Sequence, residues 1–155
     1  MITLHPVKPE EKEILWNYLQ KYLYELSGIY GLELDENGNF PYPYFEPYFS
    51  EEKRRAFFFK EDGKIIGFTM INTYSVTETP ADHSIAEFSV LPSYRKKKVA
   101  TQMMDLLLEQ YPGQWQIKYS ANNLPAKKLW TGIGARFGAK PISYGEHEEV
   151  IEFIR

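Results

Sequence analysis

The sequence predicts a single mixed α/β (α+β) domain: a mostly antiparallel sheet flanked by helices, with one parallel pair of strands. Three observations predict it. Runs of strand period alternate with runs of helix period along the whole chain. Asp62-Gly63, set between two apolar runs, is a hairpin signal and makes its flanking strands antiparallel neighbours. A helical run separates the strand-like segments 84–91 and 114–120, and a crossover of that length makes those two strands parallel. A chain of 155 residues suits one domain with one core, and no repeat or linker divides it.

The elements follow in order. Residues 2–7 alternate weakly and form a short strand. Pro9 opens a helix whose first turn carries Glu10, Glu11 and Glu13, where the helix dipole favours negative charge. Ile14, Leu15, Tyr18, Leu19, Tyr22, Leu23 and Leu26 recur at helical spacing, and Gly28 is the expected stop. From residue 29 to 49 the glycines and prolines forbid a long regular element. This segment is nevertheless dense in rings, which either pack on the domain as a lid or line a pocket. Ser50 is placed to cap a short helical turn over 51–55.

Residues 56–60 and 64–75 form the hairpin strands, with Gly67 marking a bulge or a close backbone approach. Residues 83–91 form the next strand, in which Ile85, Glu87, Ser89 and Leu91 are expected on one face and Ala86, Phe88 and Val90 on the other. A helix with Val99, Met103, Leu106 and Leu107 as its apolar stripe ends before Tyr111-Pro112-Gly113. After the strand 114–120, Asn122 or Asn123 caps a helix that passes Ala126 and Trp130 and stops at Gly132 and Gly134. Short strands at 135–139 and 148–154 complete the chain.

Composition removes several function classes. There is no cysteine, so disulfides and thiol chemistry are out, and a reducing, cytoplasmic setting is expected. A net charge of -3 gives no basic field for nucleic acid, which is not an expected partner. No apolar run has the length of a membrane span, and the charged N-terminus does not resemble a signal peptide, so no membrane partner is expected. The three histidines are scattered without metal-ligand spacing, so no metal is expected. No G-x-S-x-G elbow is present.

Basic charge is concentrated at Arg95, Lys96, Lys97 and Lys98, between a strand and a helix start, and no acidic residue occurs from Leu91 to Met104. A strand, a basic loop and a helix N-terminus form a seat for a phosphorylated ligand, because free amides and the helix dipole converge on an anion. Backbone amides from Lys97 through Val99 and Ala100 to Thr101 are expected to do most of the holding, with Arg95 and the lysines adding charge.

These residues resemble the GNAT family of N-acetyltransferases. That family shows a strand, a loop Gln/Arg-x-x-Gly-x-Gly/Ala and a helix; here the loop is Arg95-Lys96-Lys97-Lys98-Val99-Ala100 after a Val-Leu-Pro-Ser-Tyr lead-in. The second family motif, Asn-x-x-Ala-x-x-x-Tyr before a glycine-rich stop, is matched by Asn123, Ala126 and Trp130, with Gly132 and Gly134 following. The resemblance implies a GNAT-like sheet whose parallel strands splay, and acetyl-CoA as co-substrate. It implies that the backbone of Phe88, Ser89 and Val90 pairs with the pantetheine arm, with the Val90 amide facing the oxyanion. Asn123, Ala126 and Trp130 are expected beside the coenzyme. An N-acetyltransferase acting by direct attack in a ternary complex follows, with a small-molecule or peptide amine as partner and a homodimer as a common family state. The alternative is a non-catalytic acyl-CoA-binding regulatory module.

Glu87 is the candidate base, since acetyl transfer needs a neutral amine; His83 is a weaker one. Two positions depart from the family pattern. Lys98 replaces glycine, at a cost of about 1 kcal/mol if the backbone there is left-handed. Trp130 replaces the tyrosine to which an acid role is often given, and an indole N–H is no such acid. Tyr119 on the neighbouring strand, Tyr144 and the tyrosines of 42–48 are the remaining acid candidates, none distinguished by the sequence, and Tyr119 is taken as the catalytic one beside Glu87. Tyr42, Tyr44 and Glu46 are the candidate acceptor-binding residues.

Overall fold

The computed structural model describes residues 1–95 and 98–155. Seven strands form one sheet in the order β1-β2-β3-β4-β5-β7-β6. They are β1 (Ile2–Pro6), β2 (Arg54–Glu61), β3 (Lys64–Asn72), β4 (His83–Val90), β5 (Gln114–Ser120), β6 (Ile142–Tyr144) and β7 (Glu148–Ile154). The helices are α1 (Lys12–Tyr30), α2 (Val99–Gln110) and α3 (Leu124–Ala135). All neighbours are antiparallel except β4 and β5, the parallel pair joined through α2. The fold class matches the expectation.

Each face of the sheet carries its own core. On one face, Leu15, Leu19 and Leu23 of α1 pack with Phe40, Phe45 and Tyr48 against Ala56, Phe58, Phe68 and Met70. On the other, Met103, Met104 and Leu107 of α2 and Trp130 and Ile133 of α3 pack against Phe57, Phe59, Ile66, Ile117 and Ile151. The period of two in β2 sends Phe57 and Phe59 one way and Ala56 and Phe58 the other. The ring-rich segment is therefore mainly a lid: Phe40, Phe45 and Tyr48 are buried, and Tyr44 is exposed.

Several boundaries differ from those expected, each for a local reason. Helix α1 is preceded by a 3₁₀ turn over Pro9–Glu11, closed by the Glu11 carboxylate accepting from the Lys8 amide at 3.0 Å. It runs past Gly28 to Gly31, which takes the left-handed conformation at φ 64°. A glycine inside a helix costs only about 1 kcal/mol, and Gly31, in the left-handed conformation that glycine adopts freely, supplies the cap three residues further on. The turn expected at 51–55 is instead a 3₁₀ turn at Glu46–Phe49, because Arg54 already pairs in β2. Helix α3 continues through Gly132 and Gly134; a Cβ on Gly134 would lie 2.7 Å from Ile151 Cγ2, so that glycine serves close packing on β7 rather than a stop. The strand expected at 135–139 is displaced to β6 at Ile142–Tyr144.

The face assignment in β4 also changes. Met70 pairs with Glu87 but Ile71 pairs with Ile85, so Ala86 is an extra, bulged residue. The bulge shifts the alternation. Ile85, Phe88 and Val90 now join the α2–α3 core, and Ala86 packs with the α1 side.

Candidate active site

The bulge at Ala86 lies where β4 leaves β5. The two strands pair only at His83↔Trp115, Ser84↔Gln116 and Ile85↔Ile117. Beyond Ile85 the β5-facing edge of β4 has no strand partner among the described residues. The Thr69 hydroxyl fixes the bulged backbone by donating to the Glu87 carbonyl at 2.8 Å. A cavity of about 480 Å³ opens in the gap. Its walls come from α1 (Tyr22, Leu26, Tyr30), the ring-rich segment (Phe40, Tyr42), β4 (Glu87, Phe88), β5 (Lys118, Tyr119) and α3 with its cap (Asn123, Ala126, Trp130).

Glu87 is the carboxylate that the bulge turns into this cavity. The Tyr42 hydroxyl donates to its Oε2 at 2.6 Å, and the Tyr22 phenol lines the same cavity beside it. Burial pushes the Glu87 carboxyl above its ordinary range; the two phenols and the charge of Lys118 pull it back part of the way. Burial, then the charge of Glu87, holds both phenols well above their usual range, so they stay protonated and donate. A carboxylate held this way is poised to accept a proton.

The expected coenzyme seat adjoins the cavity. Lys98 caps α2 in the left-handed region, φ 61° and ψ 27°, which is the conformation that glycine adopts freely. Val99, Ala100 and Thr101 form the first turn of α2, whose amides have no partner within the helix. Lys96 and Lys97 lie outside the described residues. Arg95 turns back from the loop: its Nε donates to the Val90 carbonyl at 2.8 Å, and its terminal nitrogens grip Glu25 at 2.9 and 2.6 Å.

The next part of the site is built on close packing. A Cβ on Gly67 would lie 2.3 Å from the Ser89 carbonyl oxygen and 2.9 Å from Met103 Cε, so only glycine lets β3, β4 and α2 meet there. Ser89 and Val90 are buried beyond the cavity-lining part of the strand, and Phe88 meets Trp130 edge to face at 5.1 Å. Asn123 caps α3, its Oδ1 accepting from the Ala126 amide at 3.3 Å. The seat suits a pantetheine–pyrophosphate chain: an unpaired strand edge for an extended arm and free helix amides for an anion.

The other candidates divide. Tyr119 lines the cavity, but its hydroxyl donates to Glu149 at 2.7 Å; burial and that carboxylate hold it above the usual phenol range. Tyr44 packs over the Arg54 guanidinium, and Glu46 pairs with Lys12 at 2.7 Å; neither lines this cavity. His83 sits against Trp115 at the paired end of β4, and Tyr144 lies under Lys118 in β6. Tyr22, Leu26, Tyr30, Phe40 and Lys118 were not singled out by the sequence. Tyr22 and Leu26 stood in the apolar stripe of α1, where a core role hides a lining role. Among the described residues no group of three or more His, Asp or Glu is arranged to hold a metal ion. Among the same residues no helix is long and apolar enough to cross a membrane.

The fold and this site define a class. Residues 13–135 match the sequence model of the Acetyltransferase (GNAT) family, and the chain belongs to that family. No curated protein matches the sequence. Among solved structures, an acetyltransferase from Thermus thermophilus aligns with a TM-score of 0.70 at 15% identity, covering 100% of this chain and 96% of its own. Diaminobutyrate acetyltransferase EctA from Paenibacillus lautus, in complex with L-2,4-diaminobutyric acid and coenzyme A, aligns at 0.68 with 14% identity, covering 99% and 95%. Arabidopsis thaliana NAA60 with a bisubstrate analogue aligns at 0.62 with 16% identity, covering 100% and 97%. At these identities the likeness concerns the fold.

Proposed function

We propose that the protein is an acetyl-CoA-dependent N-acetyltransferase that acts on a primary amine. The observation that carries this reading is Glu87, a partly buried carboxylate that accepts from the Tyr42 phenol beside Tyr22 at the splay of β4 and β5. Acetyl-CoA complexes of structural neighbours support the choice of co-substrate. The seat is formed by the β4 edge at Phe88, Ser89 and Val90, the α2 start from Lys98 to Thr101, and Asn123, Ala126 and Trp130. The coenzyme supplies the acetyl thioester.

The residues of this chain do the rest. The cavity rings of Tyr22, Tyr30, Tyr42 and Phe40 hold the acceptor and attract its ammonium form. Glu87 takes the proton, directly or through water, and the freed lone pair attacks the thioester carbon. The C–N bond forms and the C–S bond breaks; the nitrogen gives up its second proton as the neutral amide forms, and the departing thiolate takes one up. Tyr119 can deliver that proton only by exchanging Glu149 for the sulfur, so Tyr119→Phe tests whether it does. Placing amine and thioester side by side in one cavity supplies much of the rate.

The test is thiol release from acetyl-CoA across a panel of small amines and peptide N-termini, beside thermal shift with acetyl-CoA alone. The expected result is stabilisation by acetyl-CoA and amine-stimulated thiol release. Stabilisation without turnover on any amine would leave a non-catalytic binding module. No stabilisation at all would remove the coenzyme reading.

A further inference from the structure

Arg95 has an occupant in the free protein. Its fork takes the Glu25 carboxylate with both terminal nitrogens, at 2.9 and 2.6 Å, while Nε holds the Val90 carbonyl at 2.8 Å. Glu25 and Arg95 are 70 residues apart in sequence, and their contact joins α1 to the loop that follows β4. Glu25 stands on α1 one residue before Leu26 and five before Tyr30, both of which line the cavity. Arg95 opens the basic loop that leads into α2. The last turns of α1 lie beyond the buried leucine stripe: Tyr24 is 66% exposed and Ile29 40% exposed. The grip on Arg95 is one tether of that end of the helix.

We propose that Glu25 is a positioning residue that holds Arg95 away from the anion seat, so that the coenzyme's phosphates must compete with it for the guanidinium. The pair is solvent-accessible, with side chains 43% and 45% exposed, so it is weakly held and a phosphate can displace it. A guanidinium fork binds phosphate with the same two-pronged geometry that it offers a carboxylate. When Arg95 turns to phosphate, the end of α1 loses this tether, and the acceptor side is loosened as the coenzyme arrives. The inference rests on the coenzyme reading above.

The experiment is calorimetric titration of coenzyme A into the wild type, Glu25→Gln and Glu25→Asp, then Arg95→Ala in the wild-type and Glu25→Gln backgrounds. Glu25→Gln is expected to tighten coenzyme A binding about three- to fivefold. Glu25→Asp keeps the charge but withdraws the carboxylate by one methylene, and is also expected to tighten it. Simple charge repulsion would leave the Asp variant unchanged, so that result overturns the proposal. Arg95→Ala is expected to cost more affinity in the Glu25→Gln background, where the guanidinium is already free, than in the wild type. Equal affinity in all Glu25 variants overturns the proposal and leaves the coenzyme site intact. Absence of coenzyme A binding to the wild type overturns the coenzyme reading, and this inference with it.

Discussion

The two halves of the candidate site are built by different means. The half proposed for the coenzyme is backbone: an unpaired strand edge, a left-handed helix cap, the amides of a first helical turn and a glycine that admits a carbonyl. All of it lies between Gly67 and Trp130, in elements that follow one another along the chain. The half proposed for the acceptor is side chain: Tyr22 and Tyr30 from one helix, Phe40 and Tyr42 from an irregular segment, converging on the Glu87 cavity only after the sheet has formed. Backbone geometry needs particular residues at particular spacings. A side-chain wall needs only rings that happen to meet.

That contrast can be broken from the coenzyme side first. Gly67→Ala places a methyl 2.3 Å from the Ser89 carbonyl, so β3 and β4 must separate. It is expected to cost about 3 kcal/mol in denaturant unfolding and to weaken acetyl-CoA binding. An unchanged midpoint would show that the close approach is not needed.

The acceptor side is expected to respond in rate. Tyr42→Phe removes a charge-assisted donor from Glu87, a loss of roughly 1.5 kcal/mol, and is expected to lower kcat/KM about tenfold at neutral pH. That bond favours the ionised carboxylate, so its loss moves the Glu87 titration further up. The acid limb of the rate profile then shifts to higher pH, while acetyl-CoA affinity stays close to that of the wild type.

The smallest effect returns to the half proposed for the coenzyme. Lys98→Gly relieves a left-handed lysine at φ 61° and is expected to stabilise the fold by about 1 kcal/mol, raising Tm by about 2–4 °C. If coenzyme affinity drops at the same time, the lysine side chain contacts phosphate; if it holds, the backbone does the binding.

The same contrast explains what was legible in the sequence. The hairpin at Asp62-Gly63, the parallel crossover, the Asn123 cap and the close approach at Gly67 each rest on local residue chemistry, and each is found in the structure. The bulge at Ala86 was not legible, because it depends on the register of β3 against β4; it alone overturned the face assignment around Glu87. Gly28 and Gly134 are the expected stops, but the left-handed cap of α1 falls at Gly31, and Gly134 stays within α3 for its close packing on β7. Glu87 was legible as a candidate by its place on the strand before the basic loop. Its partners Tyr22 and Tyr42 were not, since nothing in a single helix stripe or a ring-rich segment says which rings face a carboxylate. Tyr44 and Glu46, drawn from that same segment, face away from the cavity.

The central claim is that Glu87 takes the proton from the acceptor. The most direct test is the pH dependence of kcat/KM for the wild type and Glu87→Gln with one amine, expressed as their ratio so that the ionisation of the amine cancels. Burial raises the Glu87 titration, and only its ionised form accepts a proton. The ratio is therefore predicted to be lowest in acid, to climb through a pH above the ordinary carboxylate range and to level off beyond it, with acetyl-CoA bound equally by both proteins. A ratio that stays flat across the whole range would contradict the account.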